Sequence, residues 1–324
     1  MRNLSPTQRP DRVLIVSFHG WSDAGAAATT AANHLASTIE VEQLHVIDCD
    51  GYVDMQMHRP VISTDDDGQR ILEWPDSRLL GPVQRPGLDF DSEEIPAVNR
   101  LRAIDGEPLP ELFFLDGTEP AHLWQTYSDE VMDLIDTWDF DFVIMLGSMF
   151  SDAPHSRPIP ITLVSEDPEI RSVYDAQKPN YEGPVGITTV IQQELLRSEI
   201  PSLSLWAQIP HYVHSSPSPK ATLALLDRLE EILNVVIPRG NLLEDATEWE
   251  SNINQLASQD SEMTNYIEKL EEARDSVEGP AATGEAIAYE LEKFLRKDRK
   301  DKNSNNYDRG QDENPDSGTK NGYE

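Results

Sequence analysis

Four short segments concentrate the residue types that could do chemistry. The first runs Phe18-His19-Gly20-Trp21-Ser22-Asp23-Ala24-Gly25. Glycines at a strand-to-helix turn let a ligand reach backbone N–H groups at a helix N-terminus. The spacing is neither a dinucleotide fingerprint nor a phosphate-cradling P-loop, and Asp23 puts a carboxylate where a phosphate would sit. A tight turn with an acidic cap is therefore the plainer reading, and a ligand loop the sharper one. The second segment, Gly147-Ser148-Met149-Phe150-Ser151-Asp152-Ala153-Pro154-His155-Ser156-Arg157-Pro158, follows an apolar run and gathers Ser, Asp, His and Arg. A nucleophilic triad needs these groups within hydrogen-bond reach, and no Gly-x-Ser-x-Gly elbow is present. A polar structural loop leads here, ahead of a binding loop and then a catalytic one.

The third segment, Tyr181 to Thr189, places Gly183, Pro184 and Gly186 ahead of a helix. Its amides could hold an anion, although such loops more often just turn the chain. In the fourth, His211-Tyr212-Val213-His214 leads into a proline-rich stretch and Lys220. Histidines three apart can share a helical face, but the prolines favour extended chain and no Cys or Glu completes a zinc set. We expect no metal and no cofactor, a lining role for His211, and an exposed Lys220. The single cysteine, Cys49, ends an apolar run and reads as a buried structural thiol.

The elements that must position these loops read as a doubly wound α/β sheet. Arg12 to Phe18, Glu111 to Leu115, Phe142 to Leu146, Ile161 to Ser165 and Leu203 to Gln208 are five strands of parallel type, with residues 43 to 48 a further candidate. Helices are predicted over Ala24 to Thr38, Ala121 to Thr137, Gly186 to Arg197 and Ser218 to Asn234. In the last, Ser218 takes the N-cap, Pro219 the first turn, and Leu225, Leu229, Ile232, Leu233 and Val236 form one stripe. Val61 to Thr64 and Arg70 to Trp74 flank Asp65-Asp66-Asp67-Gly68 as a hairpin. Pro82 to Pro110 lacks periodicity and reads as an excursion. After residue 238 the texture is acidic helix, with narrow apolar stripes at Trp249, Ile253 and Leu256, at Met263, Ile267 and Leu270, and at Ile287, Leu291 and Leu295. Residues 296–324 contain no Val, Ile, Leu, Met, Phe or Trp and are expected to be disordered. The expected organisation is an α/β core over 1–237, an acidic helical extension over 238–295 and a polar tail over 296–324.

The 324 residues carry 26 Lys plus Arg against 59 Asp plus Glu, a formal charge of −33. Such a field disfavours nucleic acid and anionic membranes, both of which are bound through clustered cations. With no apolar run long enough to span a bilayer and no signal-peptide pattern, a cytoplasmic protein is expected.

Taken in order, the Gly20 to Gly25 turn, the Gly147 to Pro158 loop, Gly183-Pro184-Val185-Gly186-Ile187, and Pro210-His211-Tyr212-Val213 through Pro217-Ser218-Pro219-Lys220-Ala221-Thr222-Leu223-Ala224-Leu225-Leu226 resemble the proteasome assembly chaperone 2 family, in particular its bacterial branch. The resemblance covers roughly residues 10 to 237. It implies a three-layer α/β/α sandwich similar to phosphorylase and peptidyl-hydrolase folds, a C-terminal helical extension, and self-association, for which a trimer is our expectation. Archaeal members of the family dock on the proteasome through a C-terminal motif of hydrophobic residue, tyrosine and any residue. This chain ends Asn321-Gly322-Tyr323-Glu324, so Tyr323 and Glu324 are candidate docking residues, with Gly322 where the hydrophobic residue belongs. The expected function is a non-catalytic oligomeric scaffold that binds protein partners, with a proteasome-like ring as candidate. The alternative is an enzyme or small-ligand binder whose cleft is lined by Gly20, Asp23, Gly147, Ser148, Asp152, His155, Arg157, Gly183, Gly186 and His211.

Overall fold

The fold was analysed in a computed structural model, which describes residues 10–65, 68–83, 95–213 and 217–278. By its contacts the chain divides into residues 1–267 and 268–324, and each is described by itself. In chain order the strands are β1 (Arg12–His19), β2 (Val41–Ile47), β3 (Val61–Thr64), β4 (Arg70–Glu73), β5 (Ser77–Pro82), β6 (Arg102–Ala103), β7 (Glu111–Thr118), β8 (Phe142–Ser151), β9 (Ile161–Val164), β10 (Ser202–Pro210) and β11 (Val235–Val236). The helices are α1 (Ala27–Ala36), α2 (Trp124–Trp138), α3 (Pro168–Tyr174), α4 (Ile187–Arg197), α5 (Pro219–Leu233), α6 (Leu242–Ala257) and α7 (Ser261–Glu278). Residues 268–278 are the last turns of α7 and the only described part of the second unit.

Seven strands form one sheet in the order β2-β5-β7-β1-β8-β10-β9. The central four, β7, β1, β8 and β10, run parallel. They are near-continuous apolar runs because both of their faces are covered. Side chains alternate between the two faces. Val13, Ile15, Leu112, Phe114 and Ile144 pack with the alanines of α1 and the leucines of α5. Leu14, Val16, Phe113, Leu115, Val143 and Met145 pack with Tyr127, Val131 and Ile135 of α2 and Ile187, Ile191 and Leu195 of α4. The result is the expected three-layer α/β/α sandwich.

One expected parallel strand runs the other way: β9 pairs antiparallel with β10. Residues 152–160 hold no helix, and a parallel crossover needs a dozen or more residues to carry the chain back to the other sheet edge. The chain therefore turns at the carboxyl edge and descends. At the opposite side β5, which the sequence reading did not include, runs antiparallel to β7, and β2 pairs antiparallel with β5 as the edge, pointing the same way as the central strands. The hairpin β3–β4 forms as expected, as a two-stranded sheet of its own, and β6 pairs with β11 in another. The helix expected from Ala24 begins with a 3₁₀ turn, Ala24–Ala26, and becomes α-helical only at Ala27. Ser218 stands at the N-cap of α5 without a side-chain cap bond, and its hydroxyl is buried and unpartnered. Its carbonyl accepts from Ala221 and Thr222, and its N–H donates to the Gly25 carbonyl.

Trp249 and Ile253 of α6 are buried against Val213, whereas Leu256 is exposed. The stripe at Ile287, Leu291 and Leu295, the tail 296–324 and most of the Pro82 to Pro110 excursion's first half lie outside the described residues.

Candidate functional site

The parallel strands end together at one sheet edge, at His19, Thr118, Ser151 and Pro210. Along that edge two clusters of candidate residues form. The first is built around the β1–α1 turn. The Asp23 side chain is buried, and its Oδ1 accepts from the N–H groups of Ala28 (2.9 Å) and Thr29 (3.2 Å) while Oδ2 accepts from the Thr29 hydroxyl (2.6 Å). It is the cap of α1, reaching over the 3₁₀ turn. Ser148 at the end of β8 donates its N–H to the Ser22 carbonyl (2.8 Å) and its hydroxyl to the Ala24 carbonyl (2.8 Å). Gly147 lies beneath Trp206, whose ring would stand 2.6 Å from an added Cβ, so glycine here makes room for an aromatic ring.

Gly20 and Gly186 meet at a residue the sequence reading missed. Glu119, just past the end of β7, accepts from the N–H of Trp21 with Oε2 (3.0 Å) and from the N–H of Ile187, the first residue of α4, with Oε1 (2.9 Å). It clips the first turn to the start of a helix, where a carboxylate also meets the positive end of the helix dipole. Gly20 has φ +131°, and an added Cβ would approach Glu119 Cβ to 3.2 Å; one on Gly186 would stand 2.8 Å from Ser22 Oγ and 2.9 Å from Glu119 Oε1. Beside this clip, Ser17 donates to Asp116 Oδ1 (3.1 Å), and the His19 ring lies 3.7 Å from Asp23 and 4.0 Å from Asp116. Burial pushes the Asp116 carboxyl above the usual range; the nearby His19 and the Ser17 hydrogen bond oppose that shift. Gly20, Asp23, Gly147, Ser148 and Gly186 thus come together. Gly183 packs on Tyr181 of its own loop.

The second cluster lies under α6 and the first turns of α7. His155 is buried: Nδ1 and the backbone N–H both lie 2.9 Å from the Tyr212 hydroxyl, and Nε2 lies 3.1 Å from Asn254 Oδ1. A consistent network has the backbone N–H donating to the Tyr212 oxygen, that hydroxyl donating to Nδ1, and Nε2–H donating to Asn254. The expected cleft histidine is thus buried, with both ring nitrogens in hydrogen bonds. Lys220, expected to be exposed, is half-buried and donates to the His155 carbonyl (2.6 Å) and to Glu250 on α6. Asp152 and His211 do meet, 3.3 Å apart, with Tyr266 donating to Asp152 at 3.2 Å. This pair remains at the surface. Arg157 points its guanidinium at Ser156, 3.5 Å away.

Cys49 is buried, and its sulfur and the carboxylates of Asp48 and Asp76 lie within 4.8 Å of one another. Burial first, then the two carboxylates, push its thiol up to about 12, which keeps it protonated. Asp23 and the Ser148 hydroxyl are engaged within the fold, the Ser22 and Thr188 hydroxyls are buried without a partner, and the half-exposed His19 shares the solvent-facing surface with Trp21 (78% exposed), Met149, Phe150, Val185 and, in the Gly183 loop, Tyr181 (70%). No described helix is long and apolar enough to cross a membrane.

Fold and edge together define a doubly wound α/β/α protein whose turn residues are spent on holding one another. The chain belongs to the PAC2 family, whose model matches residues 17–257. Among solved structures it is similar to a PAC2 family protein of Streptomyces avermitilis (36% identity, TM-score 0.68, 79% of this chain and 100% of that one). It is also similar to a proteasome-assembly chaperone homologue of Mycobacterium tuberculosis (34%, TM-score 0.64, 79% and 99%). Pyrococcus furiosus PbaB, an archaeal proteasome activator, shares the fold at 13% identity (TM-score 0.53, 76% and 94%). Comparison with curated proteins returns no match.

Proposed function

We propose that this chain is a non-catalytic, self-associating scaffold that binds protein partners in a proteasome-related assembly role. One observation carries the reading: at the sheet edge where α/β proteins place ligands, Asp23 and Ser148 are spent on hydrogen bonds within the fold, while Trp21, Met149 and Phe150 face solvent beside the half-exposed His19. Exposed aromatic and Met side chains of this kind are enriched at protein interfaces. The similarity to a proteasome-assembly chaperone homologue supports the proteasome-related part. In this reading Gly20, Asp23, Gly147, Ser148 and Gly186 shape the binding face. The core 1–237, the helical extension, a trimeric state and a cytoplasmic location belong to the same proposal, as does docking by Tyr323 and Glu324, which lie outside the described residues.

The test is co-purification of a proteolytic ring with the full chain, a chain ending at Lys297, and Trp21→Ala/Phe150→Ala. Loss on truncation supports tail docking, and loss in the double variant supports the apolar face. Equal recovery with all three would remove both contacts.

A further inference from the structure

The β3–β4 hairpin forms no part of the seven-stranded sheet, and all four residues of β4 are exposed. Its large apolar side chains face solvent: Val61 (59%), Ile62 (55%), Ile71 (42%), Leu72 (47%) and the adjoining Trp74 (46%). A lone two-stranded hairpin is marginal in water, and a strand edge with free N–H and C=O groups is a template for another strand.

The register shows which groups are free. Asp65 donates its N–H to the Gln69 carbonyl at 2.9 Å, and Ser63↔Ile71 and Val61↔Glu73 follow in step. Hydrogen-bonded pairs alternate with non-bonded ones, so residues 69, 71 and 73 face β3 with their backbone groups. The N–H and C=O groups of Arg70 and Leu72 then point away from β3, and those of Trp74 continue the row. On the same alternation Ile62, Thr64, Arg70, Leu72 and Trp74 share one side-chain face.

We propose that β4 pairs antiparallel with β4 of a second copy of this chain, about a two-fold axis at Leu72. Antiparallel strands related by a two-fold axis pair residues symmetrically about it, so self-complementarity can be read from the sequence. Centred on Leu72, leucine meets leucine and Arg70 stands opposite Trp74 of the partner subunit, twice. An arginine over an indole is a favourable cation–π pair, and apolar cross-strand pairs add to it. Ile62 and Leu72 of both copies then make one apolar row across four strands. The place suits a chain of charge −33, because β3 and β4 together carry one Arg and one Glu, and the three aspartates of the turn, five to seven positions from Leu72, belong to opposite ends of the antiparallel pair. On that one face Ile62, Leu72 and Trp74, each near half exposure, present on the order of 300 Å² of apolar surface, the lower end of the size at which patches mark interaction sites. The contact is isologous, so it pairs two monomers into a dimer or two trimers into a hexamer. It deepens the self-association reading above and rests on it.

The experiment uses the full chain with Leu72→Cys and, separately, Val61→Cys, under mild oxidation. Leu72→Cys is expected to cross-link to itself. Val61 is more exposed but sits three strand spacings from its mate, about 14 Å at ~4.8 Å each, and is expected not to cross-link. The buried Cys49 stays silent. Leu72→Asp is expected to weaken self-association at least about ten-fold and halve the mass seen by light scattering, with the far-UV spectrum unchanged. If Val61→Cys cross-links as readily, or Leu72→Asp leaves the mass of a wild-type multimer unchanged, self-association stands and this contact is overturned. If the wild-type chain is a monomer at every concentration, both fall.

Discussion

Removal of the Glu119 carboxylate tests whether the sheet-edge turns are held as described. Glu119→Ala deletes two charge-assisted hydrogen bonds, to Trp21 N–H at 3.0 Å and Ile187 N–H at 2.9 Å. Bonds to charged groups contribute about 1.5–3 kcal/mol when water cannot replace them. The Trp21 bond is solvent-exposed, so water recovers most of it. The Ile187 bond is partly buried and sits at the start of α4, where a lost carboxylate also forfeits about 0.3–1 kcal/mol of helix-dipole interaction. The expected loss is about 2 kcal/mol, or roughly 4–8 °C in Tm for a domain of this size. Glu119→Gln keeps one carbonyl acceptor and should lose about half as much. Geometry adds an internal check. A Cβ on Gly186 would collide with Ser22 Oγ and Glu119 Oε1, at 2.8 and 2.9 Å, so Gly186→Ala should be less costly in the Glu119→Ala background. Denaturant titration of the four proteins measures both effects. A Glu119→Ala loss below about 0.5 kcal/mol, or strictly additive variants, would refute the clip.

The two clusters should respond differently to alanine. His155→Ala removes a buried ring with its hydrogen bonds to Tyr212 and Asn254 and should cost about 1–3 kcal/mol, whereas Asp152→Ala at the surface should stay within about 0.5 kcal/mol in the same denaturant titrations. Gly147→Ala drives a methyl into the Trp206 ring and should cost about 1–3 kcal/mol, seen as a lower Tm and a changed tryptophan emission. Asp116 has a carboxyl pKa raised by burial, so the folded chain binds a proton more readily than the unfolded one. Its contribution to stability therefore falls as pH rises from the ordinary value of 3.8 through the raised one. Asp116→Asn keeps an acceptor for Ser17 and should flatten that fall and raise stability at pH 7; an unchanged pH profile contradicts the assignment.

Much of the sandwich is legible because its parallel strands are short β-branched runs, each followed by an amphipathic period, as at Arg12–His19 and α1. Strand direction is less legible. Nothing in Ile161–Val164 itself says antiparallel; the helix-free 152–160 connection before it does. The β5 strand lies between Pro75 and Pro82, and its buried–exposed alternation was hidden by that punctuation, although Gly81 is there because Phe113 would stand 2.6 Å from a side chain. The α3 start was readable, since Asp167 caps it and Pro168 opens it. Of the candidate residues, Asp23 declared its capping role by position alone. Glu119 did not, because its two partners are 98 and 68 residues away. His155 drew notice as a cleft histidine for the same reason: Asn254, which takes up its Nε2, is 99 positions further along.

The Lys220–Glu250 and His155–Asn254 links tie the α/β core to α6 at the C-terminal end of the family match. A protease nick near residue 240 that freed α6 would uncover the Lys220 ammonium and the His155 imidazole together and carry the neighbouring indole of Trp249 away with the helix. The acidic helix is thus a keystone for the loop beneath it, and a homologue that dispenses with it needs a different residue at position 155 or 220.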